Sequence, residues 1–280
     1  MSRIAVIGLT GNTVFMGVPH FHAGGETVHA HDFHSEFGGK GFNQAVAAAR
    51  QGAEVSLLTA IGSADERSLA HFLKNESIDG VIAVKDVPSA HATILTDGTG
   101  ETRVTVFPGA RLDESDVERF AERIAKADFL LINNEVPEDV NLRAVEIAVR
   151  HGVRILCNPA PARPLPELLK RSVFLFTPNE FEEASLGPVP GEVVVTLGAE
   201  GCRIRSTGET VPAVSCGAPV DSTGAGDTFT AVLAVRLAEG ISLPEACRAA
   251  NKAAGYSVTI RYVLPSLPYR RSGNRKPEIG

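Results

Sequence analysis

The sequence predicts a doubly wound α/β fold, with a mostly parallel central sheet and a small β-sheet lid. Three observations carry that expectation. Short unbroken apolar runs, such as Ile4-Ala-Val-Ile7, Phe129-Leu-Leu-Ile132 and Val193-Val-Val195, read as strands buried on both faces. From residue 113 onward such runs alternate with helical stretches, as crossover connections between parallel strands require. Two further stretches, about 12–37 and 92–107, instead show the scattered or alternating pattern of half-exposed strands.

Taken in order, Ile4 to Ile7 ends in Gly8 as a first buried strand. The stretch 12–37 follows as a flap, with Val14, Val18, Phe21, Val28, Phe33 and Phe37 scattered among polar residues. Five histidines fall in it, in His20-Phe-His22 and His29-Ala-His31 plus His34. Alternate strand residues share a face, so each His-x-His could hold a metal. With no Cys or carboxylate at ligand spacing, a polar strand face is the better reading. A helix is expected from Gln44 to Gln51, a strand over Val55–Ile61 and a helix from Ser68 to Asn75. Ala92–Thr96 and Thr102–Phe107 flank Asp97-Gly-Thr-Gly100, a hairpin by turn chemistry. Helices are then expected at 114–126, 139–151 and 165–170, with strands at 129–132, 153–156, 173–176 and 192–196. Shorter strands near 202–205 and 210–213 precede a glycine-rich turn and a helix. A last helix opens at Ser242-Leu-Pro-Glu245, which reads as a capping box, and its Ala246, Ala249, Ala250 and Ala253 suit tight packing.

The 280 residues suit a single domain over 1–280, with the lid as an appendage. A net charge of -6 without a basic stripe argues against a nucleic-acid partner. The Arg270, Arg271, Arg275 and Lys276 cluster reads as a frayed terminus. Cys157, Cys202, Cys216 and Cys247 lie far apart without CxxC pairing, as expected of reduced thiols. No apolar run reaches membrane-spanning length, and the expected location is cytoplasmic.

Chemistry concentrates in two stretches. In Asp221-Ser-Thr-Gly-Ala-Gly-Asp227 a glycine-rich turn feeds a helix, leaving unpaired N–H groups at the positive end of the helix dipole. Asp227 is then either a helix cap, which local sequence favours, or a general base beside a bound phosphate. In Gly38-Gly-Lys-Gly-Phe-Asn43 the glycines let backbone approach a ligand, while Lys40 and Asn43 supply donors. Neither a P-loop G-x-x-x-x-G-K-[ST] nor a G-x-G-x-x-G after the first strand is present. The latter absence disfavours an NAD-type oxidoreductase.

These two signatures, in this order, resemble the ribokinase-like (PfkB) carbohydrate kinase family, and its ribokinase branch in particular. Leu131-Ile-Asn-Asn-Glu-Val-Pro137, Asn158-Pro-Ala-Pro161, Thr177-Pro-Asn-Glu-Phe-Glu182, Thr196-Leu-Gly-Ala-Glu-Gly201 and Pro265-Ser-Leu-Pro268 extend the likeness over the whole chain. The resemblance implies ATP-dependent phosphorylation of a hydroxymethyl group on a sugar or sugar-like substrate. It makes Asp227 the base, with Gly224, Ala225 and Gly226 as the anion hole. Asn179 and Glu182 would organise magnesium through waters. Asn179, Thr196, Gly198, Gly201 and Asn251 would line the nucleotide, and Asn12, Gly39, Lys40, Asn43 and Glu135 the sugar. Asp221 would belong to a monovalent-cation site, and the lid would also join two copies as a homodimer.

Two departures bear on function. Relatives carry Asn-x-Asp after the first strand, where this chain reads Leu9-Thr-Gly-Asn-Thr-Val14 and lacks the acid. Ribose is therefore expected to be a poor substrate, unless Asn12 takes over by a one-residue shift. Relatives carry a Gly-Ala loop at a monovalent-cation site, where this chain has Arg261-Tyr-Val-Leu264. Because Tyr262 and Val263 are not glycines, potassium dependence is expected to be weak. A nucleoside kinase of the same fold and a catalytically weak binding relative are the alternatives.

Overall fold

The computed structural model describes residues 1–270 of the 280. Arg271, Arg275 and Lys276 lie outside the described residues. The chain opens with β1 (Arg3–Ile7), β2 (Gly11–Gly17), β3 (Asp32–Gly38), α1 (Lys40–Arg50), β4 (Glu54–Gly62), α2 (Glu66–Asn75) and β5 (Ile78–Lys85). β6 (Ala90–Thr96) and β7 (Thr102–Phe107) form a hairpin. Alternation follows in α3 (Glu114–Lys126), β8 (Phe129–Asn133), α4 (Glu138–Arg150), β9 (Arg154–Asn158), α5 (Glu167–Ser172) and β10 (Leu175–Phe176). The rest comprises α6 (Glu180–Leu186), β11 (Glu192–Thr196), β12 (Cys202–Ile204), β13 (Thr210–Val211), α7 (Ala225–Ala238), α8 (Leu243–Ser257) and α9 (Val263–Ser266).

Among the described residues nine strands make one sheet, ordered β13-β12-β11-β10-β9-β8-β1-β4-β5. Every pair from β11 to β5 is parallel, and β12 and β13 add an antiparallel edge. The period-2 geometry of a strand splits each apolar run between two cores. In β1, Ile4 and Val6 join the core under α1, α7 and α8, whereas Ala5 and Ile7 join the one under α3 and α4. Residues within α7 are buried on all sides because it packs between α1 and α8. The sheet order reverses direction between β1 and β8, so their carboxyl ends open a crevice.

The smaller sheet is separate, ordered β3-β2-β6-β7. Cross-strand partners share a face. Thr13, Phe15, Glu36, His34, Asp32, Ile94, Val104 and Val106 thus lie on one face, and Asn12, Val14, Met16, Phe33, Phe37 and Phe107 on the other.

Four sequence expectations need correction. β5 escaped notice because, as an edge strand, only two of its residues, Ile78 and Ala83, are buried, which blurs its pattern. α1 begins at Lys40 rather than Gln44, four residues earlier, since Gly39 takes φ 126 and closes the turn immediately before it. Residues 18–31 form no strand, so His20, His22, His29 and His31 share no strand face. At α8 the Ser242 hydroxyl donates to the Glu245 carboxylate at 2.7 Å, side chain to side chain, without capping the helix N–H groups.

Candidate active site

The crevice is built where strands end and glycines allow close approach. A Cβ on Gly8 would stand 2.4 Å from the Gly41 Cα, so these two glycines let α1 start directly against the end of β1. Gly39 has φ 126, and a Cβ there would meet the Leu9 carbonyl oxygen at 2.3 Å. That approach aims the first turn of α1 at β8 and α7. The Lys40 N–H donates to Glu135 Oε2 at 2.6 Å.

Asp227 is the third residue of α7, and the N-cap is Gly224 at φ 79. The capping reading of Asp227 therefore fails: it makes no cap hydrogen bond. Its carboxylate is buried and accepts from Asn43 Nδ2 at 2.9 Å and from Gln44 Nε2 at 3.2 Å. Gln44 Nε2 also lies 3.4 Å from Asn158 Oδ1, and Asn158 Nδ2 donates to the Thr177 carbonyl at 2.8 Å. Burial pushes the Asp227 carboxyl above its usual range, against the pull of Lys40, Asn43 and Gln44. Asp227, with Glu135 adding to it, holds the Lys40 ammonium above its ordinary value despite burial. Burial also pushes Glu135 up to about 7, although Lys40 opposes it. Two carboxylates and one ammonium thus sit together, largely out of water.

A cavity of about 200 Å³ opens beside them, with Lys40, Thr177, Glu182, Thr196, Gly224 and Asp227 in its wall. The Ala225 N–H closes the turn onto the Ser222 carbonyl at 3.2 Å. The Gly226 and Asp227 N–H groups have no partner among the described residues, so the first turn of α7 offers donors to an anion. Asn179 caps α6 reciprocally with Glu182: Asn179 Oδ1 accepts the Glu182 N–H at 2.8 Å, and Glu182 Oε2 accepts the Asn179 N–H at 2.9 Å. The other Glu182 oxygen has no hydrogen-bond partner among the described residues.

Other expected site residues lie further out. Gly198 stands at φ 56 in a short 3-10 turn, and a Cβ on Gly201 would meet the Val211 carbonyl oxygen at 2.2 Å. Asn251 is buried and spends its amide on the Val211 and Pro212 carbonyls, at 2.9 and 3.1 Å. Asn12 lies on the face of β2 opposite Thr13, and its amide donates to Asp65 Oδ2 at 3.0 Å. Thr13 is directly across from Glu36, so an acid at position 13 would face a second carboxylate across the strand pair. Asp221 accepts the Thr223 N–H at 2.9 Å and the Tyr262 N–H at 3.0 Å, one on each oxygen. Gln44 and Asn158 were missed as site residues. The available signal was Gln44 itself, a polar residue in an alanine-rich helix, which the fold buries fully.

A buried carboxylate beside an ammonium, facing a polar cavity with free N–H groups at a helix start, is an arrangement whose chemistry suits phosphoryl transfer. The chain belongs to the pfkB family of carbohydrate kinases, whose profile matches residues 1–269. It lies in the ribokinase branch and is an ATP-dependent sugar kinase. It is 36% identical to the ribokinase of Bacillus subtilis (strain 168), covering 96% of this chain and 97% of that one. The ribokinase of Haemophilus influenzae is 32% identical, covering 96% of each chain. The structure of Arabidopsis thaliana ribokinase complexed with ribose and ATP superposes with a TM-score of 0.85, at 26% identity and 96% coverage of both chains.

Proposed function

We propose that this kinase transfers the γ-phosphoryl group of ATP to the hydroxymethyl oxygen of ribose. The observation that carries the reading is Asp227, buried at the start of α7, held by Asn43 and Gln44, faced by Lys40, and lining the cavity. As base it takes the hydroxyl proton while the oxygen attacks phosphorus. The N–H groups of Gly224, Gly226 and Asp227 stabilise the charge on the phosphoryl oxygens, Ala225 contributing less because its N–H is turned to Ser222. Asn43, Glu135 and the Gly39-Lys40 turn orient the sugar. Thr196, Gly198 and Asn179 approach the nucleotide.

Magnesium neutralises charge on the nucleotide phosphates when bound. The residues fit it: Glu182, buried on the cavity wall with one oxygen uncommitted, would hold it through waters, as a sparse protein ligand set for this ion requires. A bound monovalent cation fits less well. The expectation that Tyr262 could not take a glycine-like conformation is overturned, because Tyr262 stands at φ 67. Each Asp221 oxygen nevertheless faces a backbone N–H, which offsets its charge without an ion. Rates in potassium, sodium and a bulky organic cation are therefore expected to agree within about two-fold. Several-fold activation by potassium alone would show that Asp221 still serves a cation.

The names of the relatives weigh toward ribose, against the expectation drawn from the missing acid. Glu36 supplies a physical reason for that absence, since an acid at position 13 would face it. ADP release across a panel of sugars and nucleosides tests the choice. Ribose is expected to give the highest kcat/KM; a nucleoside ahead of it by ten-fold or more would select the nucleoside-kinase reading.

The lid exposes Phe33 and Phe107 on one face and Val104 and Val106 on the other. Apolar surface of that kind supports a second copy of the chain as its cover, hence a homodimer through the lid.

A further inference from the structure

Tyr262 is the residue that the sugar-kinase reading leaves without a role, and its surroundings are unusual. An aromatic residue at φ 67 is strained and persists only where its surroundings hold it there. Its hydroxyl donates to Asp32 Oδ2 at 2.8 Å. Its ring stacks on His34 with centroids 4.0 Å apart and meets Phe15 edge-on at 5.3 Å. Asp32, His34 and Phe15 all belong to one face of the lid. Arg261 reinforces the contact by pairing with Asp32 at 2.8 Å. Two residues beyond His34 on β3, the Glu36 carboxylate accepts the Val263 N–H at 2.9 Å and the Leu264 N–H at 3.2 Å.

The same loop grips the catalytic turn from its other side. The Tyr262 N–H donates to Asp221 Oδ2, and Asp221 Oδ1 in turn accepts the Thr223 N–H. Val263 lies against Gly224, whose added Cβ would stand 2.6 Å from Val263 Cγ1. Strand β3 is therefore fastened to residues 261–264, and these are fastened to the turn that starts α7. Neither end of this chain of contacts can shift without pulling on the other.

We propose that Tyr262 is a positioning residue that couples the lid to the anion-binding turn, so that a sugar held under the lid tightens binding of ATP at α7. The inference rests on the reading of the 221–227 turn as the phosphate site. Coupling of this kind is a difference in one ligand's affinity with and without the other, and it is reciprocal. The strain at Tyr262 gives the loop a reason to have more than one position. The contacts to Asp32, His34 and Phe15 select the position in which Asp221 and Gly224 are held for phosphate binding.

The test is calorimetric titration of a non-hydrolysable ATP analogue with an imido bridge, in the presence and absence of saturating ribose or the best acceptor of the panel. In the wild-type protein the sugar is expected to tighten the analogue about five-fold or more. In Tyr262→Phe, which keeps the ring but loses the hydroxyl, the gain should shrink. In Tyr262→Gly, which accepts the backbone angle but loses the whole side chain, it should fall below about two-fold. The affinity for the analogue alone should stay within about two-fold throughout, and melting temperatures establish that both variants are folded. Equal gains in wild type and Tyr262→Gly, or no gain in wild type, would overturn the coupling. The measurement involves no turnover, so it is independent of the assignment of Asp227 as the base: Asp227→Asn retaining near-wild-type turnover would sink that assignment and leave the binding result standing.

Discussion

Asp227→Asn is expected to lower kcat by roughly 10²–10⁴-fold, the range found for losing a positioned general base. The substitution keeps the size and shape of the side chain. It exchanges one carboxylate oxygen for an NH₂ group, which must then face a donor, because Asn43 and Gln44 both donate to this carboxylate. That mismatch costs on the order of 1 kcal/mol and should lower the melting temperature by a few degrees. ATP affinity should change little, since the donors to phosphate are backbone N–H groups. A helix-dipole role for an acid in the first turn predicts something else, a stability loss of about 0.3–1 kcal/mol with turnover intact. Steady-state kinetics at saturating ATP and sugar separate the two, and near wild-type kcat would remove Asp227 from the chemistry.

Gly41→Ala is expected to damage both stability and turnover. A Cβ at Gly41 would stand 2.5 Å from the Gly8 Cα and 3.1 Å from Asn133 Nδ2. The first obstacle is backbone, so α1 must lift away from β1. Overpacking of this kind costs typically about 1–3 kcal/mol, and at about 2–4 °C per kcal/mol the melting temperature should drop by several degrees. The larger effect falls on activity, because α1 carries Lys40, Asn43 and Gln44 into the site. A displacement of about 1 Å at a reacting centre can cost roughly 10²-fold in rate. A variant with unchanged melting temperature and unchanged kcat would show that the approach of Gly8 and Gly41 is not what seats the site.

Much of this was legible in the sequence because the physics behind it is local. Buried parallel strands are short apolar runs, and β1, β4, β8 and β11 were readable for that reason. The hairpin of β6 and β7 was readable from its Asp-Gly-Thr-Gly turn, and the two glycine motifs marked both walls of the crevice. What stayed hidden depends on contacts distant in sequence or on a single backbone angle. Glu36 and Val263 are 227 positions apart, and nothing near either residue announces their hydrogen bond. Tyr262 at φ 67 contradicts the local expectation that such an angle belongs to glycine, and only its packing on His34 and Phe15 accounts for it. Gln44 was not legible because Asn43, beside it, already supplies the donor that the motif needs. In the fold both reach the same carboxylate, one to each oxygen. Asn12 is the opposite case: its residue type suits a sugar ligand, while strand register, invisible locally, sets it on the face opposite Thr13 with its amide donating to Asp65.

The central claim is transfer of the γ-phosphoryl group to the hydroxymethyl oxygen of ribose, and phosphorus NMR of the product tests it most directly. Incubation of the wild-type protein with ATP, magnesium and ribose should give ADP and an equimolar phosphomonoester whose phosphorus signal is split by the pair of methylene protons on the esterified carbon. A signal split by a single proton, marking a secondary hydroxyl, or inorganic phosphate as the only product beside ADP, would contradict the account.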